Sequence, residues 1–389
     1  MTSSTTLAVL AAGAAALLLP PAQAVAVAVQ SAGAAARNTV AEMPPTNEVT
    51  LETVAELPIR PSAAVRLRDG RIVWTEHFGA PNPNRVRVMT PGGGYADFFP
   101  PGTNLGSHSL RVDDEGILYG LDMGTETRPA VLWAWDPAAN RLVHRIEIGE
   151  PAKQSQSSFG DFVVDTRNHQ VLIGDTAGGT VPFRQDPAVV AVDLRTGTAR
   201  RLLVGHPSVQ AEPLDTFVNS EQMWLTTNRE TGERIPSRWG VNGIALSPDK
   251  SWFYYAPMQG RTVYRIRTAD LANRRLTAAQ LGARVRRYGA REIGDGMIVD
   301  TAGNVYNTDT QRNAIGVTAA DGSYRVLARD DQRLLFQEGF EEGFDGHLYV
   351  ASNQAHLSTF FYPTDTGRPP YYIVRFRPLA PVRMAGAPR

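Results

Sequence analysis

The sequence contains no cysteine, which removes disulfides, thiolate nucleophiles and cysteine-held metals together. It also lacks an excess of charge of either sign, with 39 Lys and Arg against 39 Asp and Glu. No net positive field exists to draw in a phosphate backbone, so a nucleic-acid partner is not expected. Beyond the first 24 residues no run approaches the roughly 18–20 apolar residues of a membrane helix. Helical periodicity is scarce, and only residues 268–281 read as helical. There is no HExxH, no phosphate-cradling glycine loop and no Ser-His-Asp motif context.

What the chain does have is 35 glycines, 27 prolines and a 42% hydrophobic composition, which suits a turn-rich β protein able to bury a core. Its 389 residues exceed the usual size of one domain, a prior that β-propellers routinely break. Residues 7–19 form an Ala/Leu-rich run, followed by Pro20, Pro21 and the small-x-small site Ala22, Gln23, Ala24. This reads as an export leader over residues 1–24, placing the protein in the periplasm or outside the cell. The first basic residue is Arg37, so an uncleaved anchor is the competing reading. Residues 25–48 are Ala/Pro/Ser-rich and are expected to be disordered.

One two-strand phrase recurs six times: an apolar run, a turn of the Asp-x-x-Gly type, and a second run ending in an acidic or small residue. Its copies are residues 62–76 (SAAVRLRDGRIVWTE), 108–122 (HSLRVDDEGILYGLD), 160–175 (GDFVVDTRNHQVLIGD), 242–257 (NGIALSPDKSWFYYAP), 295–309 (DGMIVDTAGNVYNTD) and 338–352 (EGFEEGFDGHLYVAS). Successive starts lie 46, 52, 82, 53 and 43 residues apart, blade-sized steps of which one carries an insertion. Further strand pairs fall between the copies, such as residues 131–137 with 142–149 and 188–194 with 199–205. The fold class is therefore all-β: a six-bladed β-propeller of four-stranded blades over residues 49–380, with a tail at 381–389. Only one strand, residues 371–378, follows the last phrase. Residues 49–57 are expected to complete that blade and close the ring.

In such a ring the first residues of the phrases meet at one mouth of the central channel. The ends of the second strands form a wider ring around it. The inner set is Ser62, His108, Gly160 with Asp161, Asn242, Asp295 and Glu338; the outer set is Glu76 with His77, Asp122, Asp175, Asp309 and residues 353–356, including His356. Oxygen donors from Asp161, Asn242, Asp295 and Glu338 would suit one divalent cation, calcium first. Ser62, His77, Asp122, Asp175, Asp309 and His356 would complete a surface for a small-molecule ligand. The plainer alternative is that Asp and Asn at strand starts satisfy turn N–H groups. If the site is catalytic, Asp295 or Asp161 is expected as base, with His108 as proton donor or carbonyl polariser. His144, His169, His206 and His347 are expected at the surface, and Arg284, Arg286, Arg287 and Arg291 on a solvated linker face.

At residues 239–250 (WGVNGIALSPDK) followed by 253–259 (FYYAPMQ), the sequence resembles the Yellow/major royal jelly protein family. The likeness continues through residues 263–269 (VYRIRTA), 295–300 (DGMIVD), 313–316 (NAIG), 348–356 (LYVASNQAH) and 369–377 (PPYYIVRFR). In the first half it runs through residues 118–124 (LYGLDMG), 161–165 (DFVVD) and 173–179 (IGDTAGG). The resemblance implies a secreted six-bladed propeller. Some members resemble dopachrome-converting isomerases, some bind biogenic amines and some lack a catalytic role.

More distantly, the phrases at Asn242 and Asp295 look like the gluconolactonase/senescence marker protein family. There an acid, two asparagines and an aspartate hold a divalent metal over a sugar lactone. Asn242 and Asp295 match that set, whereas Gly160 and Ser62 depart from it. Residues 336–338 (FQE) stand where Trp-Pro-Asp is common, keeping only the acid. The expected function is thus small-molecule binding at the mouth by a monomer, with dopachrome tautomerase-like isomerisation. The alternatives are a metal-dependent lactone hydrolase, or a non-catalytic amine binder with Phe159 and Trp239 as walls.

Overall fold

The computed structural model describes residues 43–80, 83–177, 186–219, 221–228, 231–362 and 364–384. The expected leader, most of the segment expected to be disordered and residues 385–389 of the tail lie outside these. Six antiparallel sheets of four strands each form the blades. Blade 1 comprises Pro61–Arg66, Ile72–Glu76, Val86–Met89 and Tyr95–Asp97. Blade 2 comprises Ser109–Val112, Leu118–Asp122, Ala130–Asp136 and Arg141–Ile148. Blade 3 comprises Phe159–Asp165, Gln170–Asp175, Ala188–Asp193 and Ala199–Leu202. Blade 4 comprises Val241–Leu246, Trp252–Pro257, Thr262–Arg267 and Arg286–Ala290. Blade 5 comprises Met297–Val299, Val305–Asp309, Ala314–Thr318 and Tyr324–Arg329. Blade 6 draws on both chain ends: Gln337–Glu342, Leu348–Ser352 and Tyr371–Phe376 are completed by Glu52–Leu57, with Leu57 opposite Tyr371.

Alternation along each strand explains why the blades stack. Successive side chains point to opposite faces of a sheet, so each blade supplies two interfaces. In blade 3, Val171 and Ile173 pack toward blade 2, whereas Leu172 packs toward blade 4. Apolar clusters of this kind lie between every pair of neighbours. The last joins Ala64 and Trp74 of blade 1 to Tyr349, Ile373 and Leu57 of blade 6. Leu57→Ala is accordingly expected to cost about 2–5 kcal/mol, the usual range for a buried leucine. Val54→Ala, on the half-buried part of the same strand, should cost far less. Urea unfolding of the two variants checks this, and equal losses would place the seam elsewhere.

Two details differ from the sequence reading, and a third fills in the insertion it expected. The helical stretch is two short helices, Thr268–Ala272 and Ala278–Gly282, the second started by a Thr277/Gln280 capping box. The ordered chain begins before residue 49: Thr46 N–H donates to Val326 O at 2.9 Å and Glu48 pairs with Arg325, so disorder does not extend to residue 48. The long step between blades 3 and 4 carries two small hairpins, Phe217–Val218 with Glu221–Gln222 and Trp224–Asn228 with Glu233–Pro236.

After blade 6 the chain crosses the mouth opposite the phrase starts. Leu379 N–H donates to the Tyr306 hydroxyl at 2.6 Å, and Thr301 N–H donates to Pro381 O at 2.7 Å. Val382 is buried, and Arg383 pairs with Asp114 at 3.1 Å and Glu342 at 2.9 Å.

Candidate functional site

The mouth where the inner strands begin opens into a pocket of about 220 Å³. His108, Asn242, Asp295 and Glu338, from blades 2, 4, 5 and 6, form its polar floor, with His77 beside them. Above them stand Phe78, Trp239, Met258, Phe336, Phe360 and Phe361. Trp239 stacks on Phe360 with centroids 5.7 Å apart, and Phe360 meets Phe78 edge-on at 4.9 Å. Part of this wall rests on the long insertion, whose Val218 and Met223 are buried with Trp239, Met258, Phe336, Ala355 and Phe361. Phe336 holds a backbone φ of +56°, costly for a bulky residue. Asn353 N–H donates to its carbonyl at 3.2 Å.

The floor is arranged by hydrogen bonds between blades. Ser62 lies behind the pocket lining, its Oγ 2.9 Å from His108 Nδ1. His77 Nδ1 accepts from Gly79 N–H at 3.1 Å, so in the neutral ring the proton sits on Nε2, which faces Glu338 Oε1 at 3.3 Å. Asn353 Nδ2 donates both to Glu338 Oε1 at 2.8 Å and to Pro61 O at 2.9 Å. Asp161 lies deeper. It pairs with Arg111 Nη2 at 2.5 Å, and the other end of that guanidinium pairs with Glu341 of blade 6.

These environments divide the acids. Burial pushes the Glu338 carboxyl up, but His77, His108 and Asn353 outweigh it, and the net direction is down. Burial pushes the Asp295 carboxyl far above the usual range; the charges of Glu338 and Asp161 add to this, while Arg291 and an Asn242 hydrogen bond oppose it. Asp161 is raised to about 6, chiefly by burial, against the pull of Arg111. His108 is lowered to about 4 by burial, which exceeds the opposing effect of Glu338. The floor thus pairs a carboxyl whose proton is held more tightly than usual, Asp295, with an imidazole whose protonation burial disfavours, His108.

A hard divalent cation needs several oxygen donors free to converge. Glu338 is held by His77 and Asn353, and Asp161 by Arg111. Among the described residues no three His, Asp or Glu side chains come together as a metal-holding set. Gly160 is not an interchangeable position, because a Cβ there would collide with Asn242 Oδ1. That oxygen is buried without a hydrogen-bond partner and is left for a ligand donor.

The outer ring is placed differently from the inner one. His77 lines the pocket, but Asp122, Asp175, Asp309 and His356 do not. Asp122 pairs with Arg128 at 2.8 Å, Asp175 with Arg201 at 2.6 Å, and Asp309 with Arg312 at 2.7 Å and the Tyr324 hydroxyl at 2.8 Å. These carboxylates secure blade corners. His356 stacks behind Phe336 and is lowered to about 3 by burial, then by Arg60.

Four further expectations need correction. Phe159 is buried between blades 2 and 3 rather than in the wall. His347 is buried against Asp345 at 3.1 Å. Arg291 is buried, not solvated, and donates to Pro257 O at 3.0 Å and Gly294 O at 2.7 Å, fixing the turn that presents Asp295. Residues 336–338 retain an aromatic, since Phe336 itself faces the pocket. Sequence reasoning missed Phe78, Phe360, Phe361 and Arg111. The aromatic run at residues 360–362 (FFY) was the available signal for the wall.

A family model described as major royal jelly protein matches residues 107–365. No curated protein matches the sequence significantly. Among solved structures, a gluconolactonase from Xanthomonas campestris is similar at 12% identity over 86% of this chain and 93% of that one, with a TM-score of 0.51. A luciferin-regenerating enzyme is similar at 11% identity over 86% and 99%, with a TM-score of 0.53. A calcium-binding regucalcin from Agrobacterium tumefaciens is similar at 12% identity over 86% and 98%, with a TM-score of 0.51. At such identities the likeness concerns the fold alone.

Proposed function

The chain belongs to the major royal jelly protein family, and from that premise we propose that its pocket binds a small aromatic molecule bearing a carbonyl and isomerises it by proton transfer. The observation that carries this reading is a buried carboxyl, Asp295, and a buried imidazole, His108, on one floor under an aromatic wall, with burial raising the first and lowering the second. Asp295 would give its proton to the carbonyl oxygen while His108 takes one from the adjacent carbon. The product differs from the substrate only in the position of one hydrogen and of the double bond, and solvent returns the proton from His108 to Asp295. Such positioned acids and bases contribute about 10²–10⁴-fold. The aromatic wall orients the ring, and Asn242 Oδ1 accepts from a ligand N–H or O–H.

The test is deuterium exchange at carbons alpha to the carbonyl across a panel of aromatic ketones and quinones, read by NMR for wild type and His108→Gln. Binding without exchange would move the protein to the second reading, an amine binder, which the Glu338 carboxylate beneath five aromatic rings favours. Elemental analysis discriminates the third reading. A stoichiometric divalent ion whose removal abolishes ligand binding would favour a lactonase-type hydrolase over both.

Export belongs to the same proposal. The apolar run at residues 7–19 supports it, and among the described residues no helix is long and apolar enough to cross a membrane. Mass spectrometry of protein from periplasm or medium should find a start near Val25. Intact Met1 in the cytoplasm would defeat it.

A further inference from the structure

Charge balanced over the whole chain is not balanced locally. Residues 252–291 hold nine arginines, no lysine and a single carboxylate, Asp270. They form the second, third and outermost strands of blade 4 and the two short helices beside it. Register sets which side chains share a face: Trp252 lies opposite Arg267, Tyr254 opposite Arg265, and Arg265 opposite Arg286. The Arg267 guanidinium sits 3.8 Å from the Trp252 ring centroid. Arg265 sits 4.5 Å from the same ring and 4.9 Å from Tyr288. Around the edge, Arg284 pairs with Asp270 at 2.8 Å, and Arg274 reaches Asp193 only at 3.6 Å. Arg267, Arg275, Arg286 and Arg287 are exposed, and none has a carboxylate in ion-pair range among the described residues. The arginines also repel one another: Arg200 on blade 3 is lowered first by burial and then by Arg274.

We propose that this outer edge of blade 4 is a docking surface for an acidic polysaccharide. Guanidinium groups bind carboxylate and sulfate bidentately, and stacking on rings holds them with their N–H edges directed outward. Clustered basic side chains on one edge supply the field that a polyanion follows. A single-stranded nucleic acid would need open ring faces on which to stack bases. Here Arg265 and Arg267 already cover Trp252, and Arg265 also covers Tyr288. This choice of polyanion rests on the export proposed above, which would bring the surface among cell-surface or matrix glycans.

The experiment uses the full mature chain, the triple variant Arg267→Gln/Arg286→Gln/Arg287→Gln, and a charge-matched control, Arg71→Gln/Arg141→Gln/Arg145→Gln, on blades 1 and 2. Binding to heparin and to polygalacturonate is measured as a function of salt, with melting temperature as the fold check. Wild type and control should bind at least one of the two. In the triple variant the slope of log Kd against log salt should fall by about two to three, close to one per charge removed. Absence of wild-type binding to both polymers, an unchanged slope in the triple variant, or an equal loss in the control would overturn the proposal. Tighter binding of single-stranded DNA than of either polysaccharide at the same salt would overturn it too.

Discussion

Replacing Asp295 with asparagine is expected to reduce turnover at least about 100-fold while leaving the melting temperature unchanged or higher. Asparagine keeps the shape and the Asn242 contact but has no acidic proton to give. Stability should not suffer, because the carboxyl lies among burial, Glu338 and Asp161, all of which disfavour its charge. The sign of the pH effect follows. A carboxyl raised by folding contributes stability that is fully present below its unfolded pKa and is lost as pH rises through its folded value. The variant should therefore gain on wild type as pH rises. Activity should fall on the alkaline side as Asp295 ionises, and on the acid side near pH 4 as His108 takes a proton. Wild-type turnover in Asp295→Asn would remove this residue from the mechanism. A large fall in melting temperature would make its role structural.

Arg111→Met is expected to destabilise the fold by about 3–5 kcal/mol at pH 8. The guanidinium spans the channel from Asp161 of blade 3 to Glu341 of blade 6, with all three side chains largely buried. Its removal leaves two carboxylates without their cation. Asp161 is already raised to about 6, so its stability contribution is lost as pH climbs from the unfolded value near 4 through 6. Removing the arginine raises that carboxyl further, so the loss should shrink at pH 5, where the acid can protonate. Adding Asp161→Asn and Glu341→Gln should restore much of the stability, since an uncharged trio leaves no unpaired ion. Urea unfolding at both pH values decides the matter. Equal losses at pH 5 and pH 8 would mean that packing, not charge, is what Arg111 supplies.

The part of the site legible in the sequence is the part the repeat governs. Phrase register alone brought His108, Asn242, Asp295 and Glu338 to one floor from four blades. The same register failed for Asp122, Asp175 and Asp309, because a carboxylate at a strand end has arginines and turn N–H groups within reach and is used locally. Phe78, Phe360 and Phe361 lie in loops that no repeat places. Arg111 has the look of an ordinary strand cation until Asp161 and Glu341 arrive from other blades. The proposed roles of Asp295 as proton donor and His108 as base were out of reach for another reason. They depend on burial and on charges at the end of folding, and residue type carries neither.

The rear crossing of the C-terminal segment has a practical corollary. Arg383 is anchored to Asp114 and Glu342, and Val382 is buried, at the end of the channel farthest from the aromatic wall. A tether or fusion partner joined just after Arg383 therefore departs from the side facing away from the binding pocket. Molecules fixed to a sensor chip in that way stand with the pocket open to the flow. The same attachment crowds the back opening, so any solute entering by that route would be hindered by the linker.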